Sequence, residues 1–183
     1  MTRLTRAGIA AAAVTAAVTL LLAAPAGAES MTRSDPADAT ASPTDIRHVT
    51  VNHTQHHVVL RIRFADLETG MDNATSSASI YFDTRPRHAG PEFVMGIPLF
   101  EGSDWAVVRT HGWRPGQNPL SCRSQLRLLP ERDLAVASVS RDCLDRPGKV
   151  RVSIRMTDWF DGSHVVRDWF PKRLGFTRWL SRG

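Results

Sequence analysis

The sequence lacks the short motifs that commonly mark a catalytic site. It contains no Gly-x-Ser-x-Gly elbow, no His-Glu-x-x-His pair and no glycine-rich phosphate loop. It has only two cysteines, Cys122 and Cys143, and a disulfide between them would leave no thiol nucleophile. These absences favour a protein that binds without catalysis and that uses no cofactor.

Long apolar runs are also absent, except at the N-terminus. Arg3 and Arg6 precede residues 7–24, which carry no charge, and residues 25–28 end in a small-x-small pattern. This order is typical of a secretory signal peptide that is cleaved after Ala28. We therefore predict a signal peptide at residues 1–28, a secreted mature chain, and no membrane attachment after cleavage.

The mature chain would contain 155 residues, because 28 of the 183 belong to the predicted signal peptide. Cleavage removes Arg3 and Arg6, so 21 of the 23 basic residues remain against 18 acidic ones, a net charge of +3. So small an excess on an exported chain argues against nucleic acid as a partner. Residues 29–44 are polar and without periodicity, which predicts a flexible linker, and residues 45–183 form one domain, expected to be a monomer.

The apolar residues repeat with the period of a β-strand rather than of a helix. In residues 58–64 and 150–157, aliphatic side chains alternate with polar ones, mostly arginine. Further strands are predicted at residues 77–83, 92–99, 104–110, 122–129, 134–140, 164–170 and 176–180. About ten short strands in one domain predict an all-β, two-sheet antiparallel β-sandwich, of which a jelly roll is one form.

The two cysteines fit a hairpin that turns at residues 130–133. A register that places Leu126 opposite Val139 also places Cys122 opposite Cys143. Opposed residues of neighbouring strands lie within disulfide reach, and thiols of an exported chain are expected to oxidise. We therefore predict a Cys122–Cys143 disulfide, with two buried free thiols as the alternative.

Residues 51–64 hold three histidines around a chain reversal. A two-residue tip at Thr54 and Gln55 would place His53 opposite His56, where two imidazoles could share a zinc or copper ion. Zinc needs three or four protein ligands, and no third ligand follows locally. His53 and His56 are thus candidate metal ligands, and a solvated hairpin tip is the interpretation that we favour.

The sequence has five tryptophans, four of which support an expectation. Asp161-Gly162 predicts a hairpin with Ile154 opposite Trp169, so Trp169, like the strand residue Trp179, is expected in the core. Trp113 and Trp159 lie beside turns and are expected to be exposed. Because the C–H faces of sugar rings pack on aromatic faces, Trp113 and Trp159 are candidate ligand-binding residues, with ordinary packing under loops as the alternative.

Charged side chains give weaker indications. Asp83 and Glu92 flank a turn and could bind Ca²⁺, although capping and charge pairing explain them better. Outward arginines on three predicted strands would form a basic stripe for an anionic polymer if those strands were neighbours, and a solvated face is the alternative. These arginines are Arg61, Arg63, Arg123, Arg127, Arg151 and Arg155.

One resemblance accompanies these patterns. The segments DIRHVTVNH, VVLRIRFADL, IYFDT, GPEF and LFEGSDWAVVR, with the two cysteines, resemble small exported β-sandwich proteins of high-GC Gram-positive bacteria. The resemblance covers most of residues 45–183. It implies a fold and a location, and it implies no activity.

Together these patterns predict a secreted, non-catalytic β-sandwich whose partner is a polysaccharide or another cell-wall polymer. One alternative is a small secreted hydrolase or metal-dependent enzyme, in which folding would pair His111 with Asp104, or Glu92 with Glu101, for acid–base chemistry. Another alternative is a protein–protein interaction module, such as an inhibitor, with residues 110–119 as its protruding loop.

Overall fold

The computed structural model describes residues 27–70, 75–159 and 164–183. These residues form twelve β-strands in two antiparallel sheets, one of five strands and one of seven. The predicted all-β, two-sheet antiparallel fold is confirmed. Residues 1–26 of the predicted signal peptide lie outside the described ranges, and within those ranges no helix has the length and apolar character to span a membrane.

The first sheet has five strands in the order β1-β2-β3-β9-β8. All of its pairings are antiparallel. Its strands are β1 (Glu29–Ser34), β2 (Ile46–His53), β3 (His57–Phe64), β8 (Ser124–Leu129) and β9 (Leu134–Ser140).

The second sheet has seven strands, and the order of six of them is β11-β10-β4-β5-β6-β7. The short β12 pairs with the beginning of β10. The strands are β4 (Ser76–Asp83), β5 (Phe93–Pro98), β6 (Ala106–His111), β7 (Arg114–Pro119), β10 (Lys149–Asp158), β11 (Val166–Phe170) and β12 (Leu180–Ser181).

The core is built from the inward side chains of both sheets. On β3, Val58, Leu60 and Ile62 are fully buried, whereas Arg61 and Arg63 are exposed. This pattern follows from the pleat, which points successive side chains to opposite faces. Inward residues of the two sheets belong to one apolar cluster, so their burial holds the sheets together.

Residues 29–44, which we expected to be a flexible linker, are part of the folded domain. β1 pairs with β2 along its whole length. Ala39, Ser42 and Thr44 are buried, and the Ser42 hydroxyl donates a hydrogen bond to Asp158 Oδ2 at 2.6 Å. The linker prediction is wrong because backbone pairing at a sheet edge and buried polar contacts need no apolar periodicity.

Residues 114–119, part of the stretch 110–119 that we considered as a protruding loop, form β7 at one edge of the second sheet. Pro115 and Pro119 cannot donate backbone hydrogen bonds, and an edge strand is where a sheet tolerates that loss. Gly116 permits the close approach to β6, because a Cβ at this position would lie 2.8 Å from the Arg109 carbonyl oxygen.

The predicted Cys122–Cys143 disulfide is present, with a Cα–Cα distance of 5.5 Å. The register that suggested it is wrong by two residues, because Leu126 lies opposite Ala137 rather than Val139. The two-residue slip keeps the same side chains inward. Cys143 reaches Cys122 because a 3-10 helix, Arg141–Leu144, follows β9, with the Ser140 hydroxyl accepting a hydrogen bond from the Asp142 N–H.

The register of β10 with β11 also differs from the prediction. Ile154 lies opposite Phe170, and Trp169 lies opposite Arg155. This one-residue difference moves Trp169 from the core to the outer face and brings Asp168 into the interior, where it is 2% exposed. The predicted turn at Asp161-Gly162 lies outside the described residues. Trp179 is half-buried beside Arg151 rather than in the core.

We predict that the disulfide contributes about 3 kcal/mol to the free energy of unfolding, because it closes a loop with a sequence separation of 21. The double variant Cys122→Ala/Cys143→Ala should unfold at a lower urea concentration, with a free energy of unfolding that is lower by about 3 kcal/mol. A reducing agent should destabilise the parent protein and leave the double variant unchanged. Equal stability of the parent and the variant would contradict the prediction.

Candidate functional site

A furrow crosses the outer face of the seven-stranded sheet. It encloses a volume of about 380 Å³ over β4, β5, β6 and β7. Its floor carries small side chains, because Ser79 lies opposite Gly96, and Gly96 lies opposite Ala106. Asp104, Pro115 and Gly116 line it on the side of β7. Small residues in register on adjacent strands therefore create the space.

Gly96 is central to this furrow. A Cβ placed on Gly96 meets no other atom within 4 Å, so the volume above it is open. Ser77 and Ser79 supply hydroxyl groups on one side of it. The floor thus combines free space with hydrogen-bonding groups, as a ligand site requires.

An aromatic cluster packs beyond one end of the furrow, next to two of the residues that line it. Tyr81 follows Ser79 on the outer face of β4, and its ring lies 5.0 Å from Trp113 and 6.2 Å from Trp169, measured between ring centroids. Val94 and Val108 join this cluster and also line the furrow. Val94 and Val108 therefore connect the furrow to an aromatic cluster in which Tyr81 is fully buried and Trp113 and Trp169 are half-buried.

Arg155 of β10 lies against the aromatic rings. The Arg155 guanidinium carbon lies 5.9 Å from the Tyr81 ring centroid and 5.8 Å from that of Trp169. Arg155 also donates a hydrogen bond to the Ser79 hydroxyl at 3.3 Å. The buried Tyr81 hydroxyl and Arg155 Nε have no hydrogen-bond partner among the described residues. These two polar atoms are therefore buried within the cluster rather than presented in the furrow.

The two tryptophans predicted to bind a ligand occupy different environments. Trp113 is half-buried, and one face of its ring stacks on Phe176 at a centroid distance of 5.0 Å. Trp159 is 49% exposed. The backbone N–H of Trp159 donates a hydrogen bond to the Thr75 carbonyl at 3.3 Å. This bond extends the β10–β4 ladder beyond the end of the furrow that lies opposite to Tyr81. Trp113 therefore supports the aromatic cluster, and Trp159 presents a free ring.

The histidine pair is not formed. His53 lies opposite Val58, because residues 54–57 make a four-residue tip that the Thr54 side chain closes. His53 is fully buried and His56 is exposed, so the pairing on which a shared metal depended is absent. His53 Nδ1 lies 3.0 Å from the Leu180 carbonyl oxygen. Burial lowers the pKa of His53, which keeps the ring neutral.

The two candidate acid–base pairs are each separated by a strand. Glu92 precedes β5 and accepts hydrogen bonds from Thr84, whereas Glu101 follows β5. Asp104 and His111 likewise lie at opposite ends of β6. Neither pair can act jointly as acid and base.

Capping and charge pairing explain the carboxylates of the β4–β5 turn. Asp83 forms an ion pair with Arg151 at 2.7 Å and accepts a hydrogen bond from the Arg85 N–H. Glu92 accepts a hydrogen bond from the Thr84 N–H at 2.7 Å. This interpretation, which the sequence favoured over a Ca²⁺ site, is confirmed.

The outward arginines do not form a single stripe. Arg151 and Arg155 lie on the outer face of the seven-stranded sheet, whereas Arg61 and Arg127 lie on the five-stranded sheet. Because the core separates the two sheets, these arginines serve different surfaces.

Three aspartates converge at the edge where β11 meets the segment after β1. Asp35, Asp38 and Asp168 each offer an oxygen within 4.8 Å of the others, the one group of at least three metal-type ligands among the described residues. Asp168 Oδ2 accepts a hydrogen bond from the Ile46 N–H at 2.8 Å, and Asp35 Oδ2 is buried without a partner. Three oxygens could hold a hard cation only with further ligands, since Ca²⁺ takes six to eight.

The acidic cluster shifts the titration of its members. Burial, followed by the charge of Asp168 and other neighbouring carboxylates, raises the pKa of Asp35 to about 7. Burial, which the Ile46 hydrogen bond partly offsets, raises the pKa of Asp168 to about 6. An unfolded aspartate titrates near 3.8, so the folded protein retains protons that the unfolded chain releases. The resulting stabilisation is present below about pH 4 and is lost as the pH rises to about 7.

Sequence reasoning missed Tyr81, Gly96 and the serine floor. The signal was present, because SSASIYFD of β4 alternates small polar and apolar residues up to Tyr81. What the sequence could not show is that β5 and β6 place Gly96 and Ala106 in the same row.

Comparison with known proteins identifies no relative. No family model matches the chain, and neither a curated protein nor a solved structure matches it. The resemblance to small exported β-sandwich proteins stays a prediction, and the function must be argued from the surface itself.

We predict that Asp35→Asn raises the melting temperature at neutral pH, because asparagine carries no charge at a site where burial and neighbouring carboxylates raise the pKa of Asp35 to about 7. The loss of stability between about pH 4 and about pH 7 should become shallower than in the parent protein. Thermal unfolding across that range measures the difference. The control is Asp66→Asn, an exposed carboxylate outside the cluster. Parallel pH profiles for Asp35→Asn and the parent would contradict the prediction.

Proposed function

We propose that this protein is an exported, non-catalytic binding domain that holds a polysaccharide on the outer face of its seven-stranded sheet. The observation that carries the proposal is the furrow itself, with Gly96 and the two serines as its floor and Tyr81 and its aromatic neighbours at one end. The site then lies on a regular sheet, whose register fixes the distances between binding groups.

The composition of the furrow suits a sugar chain. Sugar rings present C–H faces to aromatic side chains and hydroxyl edges to polar ones. The furrow offers Ser77 and Ser79 as hydrogen-bonding groups, and the half-buried rings of Trp113 and Trp169 in the adjoining cluster supply aromatic surface. Its volume of about 380 Å³ falls in the range of small-molecule sites.

The length of the surface favours several sugar units rather than one. Trp159 lies opposite Thr75, which immediately precedes β4 and lies six residues before Tyr81. At the rise of an extended strand, this separation is about 20 Å. The exposed Trp159 ring and the aromatic cluster would therefore contact different rings of one chain.

The lining of the furrow supports binding rather than hydrolysis. Glycoside hydrolysis ordinarily uses two carboxyl groups on either side of the scissile bond. Among the described residues that line the furrow, Asp104 is the single carboxylate. Residues 110–119, considered above as a protruding loop, instead form much of the β6–β7 hairpin, and Pro115 and Gly116 wall the furrow.

Export and a monomeric state complete the proposal. The N-terminal pattern of residues 1–28 and the Cys122–Cys143 disulfide both suit an oxidising location outside the cell. The edge strand β7 carries Pro115 and Pro119, which block hydrogen bonding to a second sheet edge. This feature supports a chain that stays single.

We predict that Gly96→Leu abolishes polysaccharide binding while the protein remains folded, because the side chain fills open space in the furrow. Retention on insoluble chitin, cellulose and peptidoglycan measures binding, and thermal unfolding measures the fold. The matched control is Gly148→Leu, since a Cβ at Gly148 also meets nothing within 4 Å and lies outside the furrow. No retention of the parent above a denatured control, or equal retention of Gly96→Leu, would contradict the proposal.

We also predict that Trp159→Ala weakens binding about tenfold, since an aromatic contact of this kind contributes about 1 kcal/mol or slightly more. Because Trp159 is exposed, the melting temperature of the variant should match that of the parent protein. Unchanged polysaccharide binding by Trp159→Ala would contradict this prediction and would restrict the site to the furrow and the Tyr81 cluster.

A further inference from the structure

The five-stranded sheet has an uneven distribution of charge. Strands β2, β3, β8 and β9 contain no aspartate or glutamate. The one carboxylate in β1 is Glu29, which forms an ion pair with Arg178. The outer face of this sheet thus has no acidic side chain of its own to neutralise its arginines.

Four exposed arginines define this surface, which we name the basic face: Arg61, Arg63, Arg123 and Arg127. Arg61 and Arg127 lie on either side of Val136 in one row across three strands. Two strand spacings separate them, a distance of about 10 Å. Among the described residues, no carboxylate pairs with any of the four.

The basic face continues into a cavity at the tip of the β2–β3 hairpin. This cavity, of about 580 Å³, is lined by Arg123, Arg141, Arg146 and Arg182, with His56 and His57. Its one acidic group is Asp142, which Arg146 binds at 2.6 Å. Four guanidinium groups therefore surround the cavity against one carboxylate.

Arg141 is held in place within this cavity. Its guanidinium donates hydrogen bonds to the carbonyl oxygens of Gln55, Arg146 and Pro147. Burial, followed by the charge of Arg182, lowers the pKa of Arg141, so a like charge adds to the cost of burying this cation. An anion entering the cavity would relieve that repulsion without reorganising the arginine.

We propose that the basic face and this cavity together bind a polyanion of phosphodiester groups that carries no bases. Guanidinium groups match phosphate oxygens in a planar, bidentate geometry. Because the arginines extend from Arg61 to the cavity, several phosphates of one chain would be contacted at once. The chemical class is that of phosphodiester-linked polyols, such as an anionic envelope polymer.

Nucleic acid shares these charges but fits the surface less well. Single-stranded nucleic acids bind by stacking bases on aromatic side chains, in addition to charge. The outer positions of β3, β8 and β9 carry arginine, serine, glutamine, valine, leucine and one histidine, with no Phe, Tyr or Trp. The exposed tryptophans Trp105 and Trp159 lie outside the strands of the five-stranded sheet.

The test measures binding of the purified protein to poly(glycerol phosphate) at several salt concentrations. A poly(dT) oligonucleotide with the same number of phosphates and inorganic phosphate are compared in parallel. We expect tight binding of poly(glycerol phosphate) at low salt, weaker binding of poly(dT), and the weakest binding of inorganic phosphate. The double variant Arg61→Ala/Arg127→Ala should bind more weakly and reduce the slope of log K against log salt by about two.

The control variant is Arg173→Ala, which removes an exposed arginine that follows β11 in the other sheet. It should bind as the parent does, and Gly96→Leu should also leave this binding unchanged. Absence of poly(glycerol phosphate) binding, equal weakening by Arg173→Ala, or tighter binding of poly(dT) would overturn the proposal. Failure of the polysaccharide assay would not overturn this proposal, because the two surfaces lie on different sheets.

Discussion

Burial of aliphatic side chains between the two sheets is the interaction on which the rest of the structure depends. Val58, Leu60 and Ile62 of β3 and their counterparts on β10 are removed from water together, and this fixes which face of every strand points inward. A shift by one residue would bury arginines. The core therefore determines the outer faces, where serine, glycine and arginine are free to serve binding.

The two outer faces have separate chemical characters. The seven-stranded sheet combines a furrow over Gly96 with an aromatic cluster around Tyr81, and its arginines lie against aromatic rings. Strands β3 and β8 of the five-stranded sheet carry arginines and no carboxylate. Under the two proposals, one face would bind neutral sugar rings and the other would bind anionic groups.

The alternation of residues 58–64 and 150–157 was sufficient to predict the buried faces of β3 and β10 and, with the other short strands, the fold class. The disulfide was predicted from a hairpin that holds both cysteines, although its register was wrong by two residues. It was not sufficient for the registers, because these depend on turn length. Thr54 closes a four-residue tip where two residues were expected, and this separates His53 from His56. A one-residue difference at β10–β11 moves Trp169 to the surface. The furrow and the basic face both depend on the order of strands in the sheets. That order places β3 beside β9 and β4 beside β10, although long stretches of chain separate them.

The most direct test of the sugar-binding surface is to map backbone amide chemical shifts during titration with soluble chitin, cellulose and peptidoglycan fragments. The proposed site predicts that the largest changes cluster at Ser77, Ser79, Gly96 and Ala106, with the indole N–H of Trp159 shifting at the far end. Changes confined to the five-stranded sheet, or the absence of any saturable change with all three fragments, would contradict it.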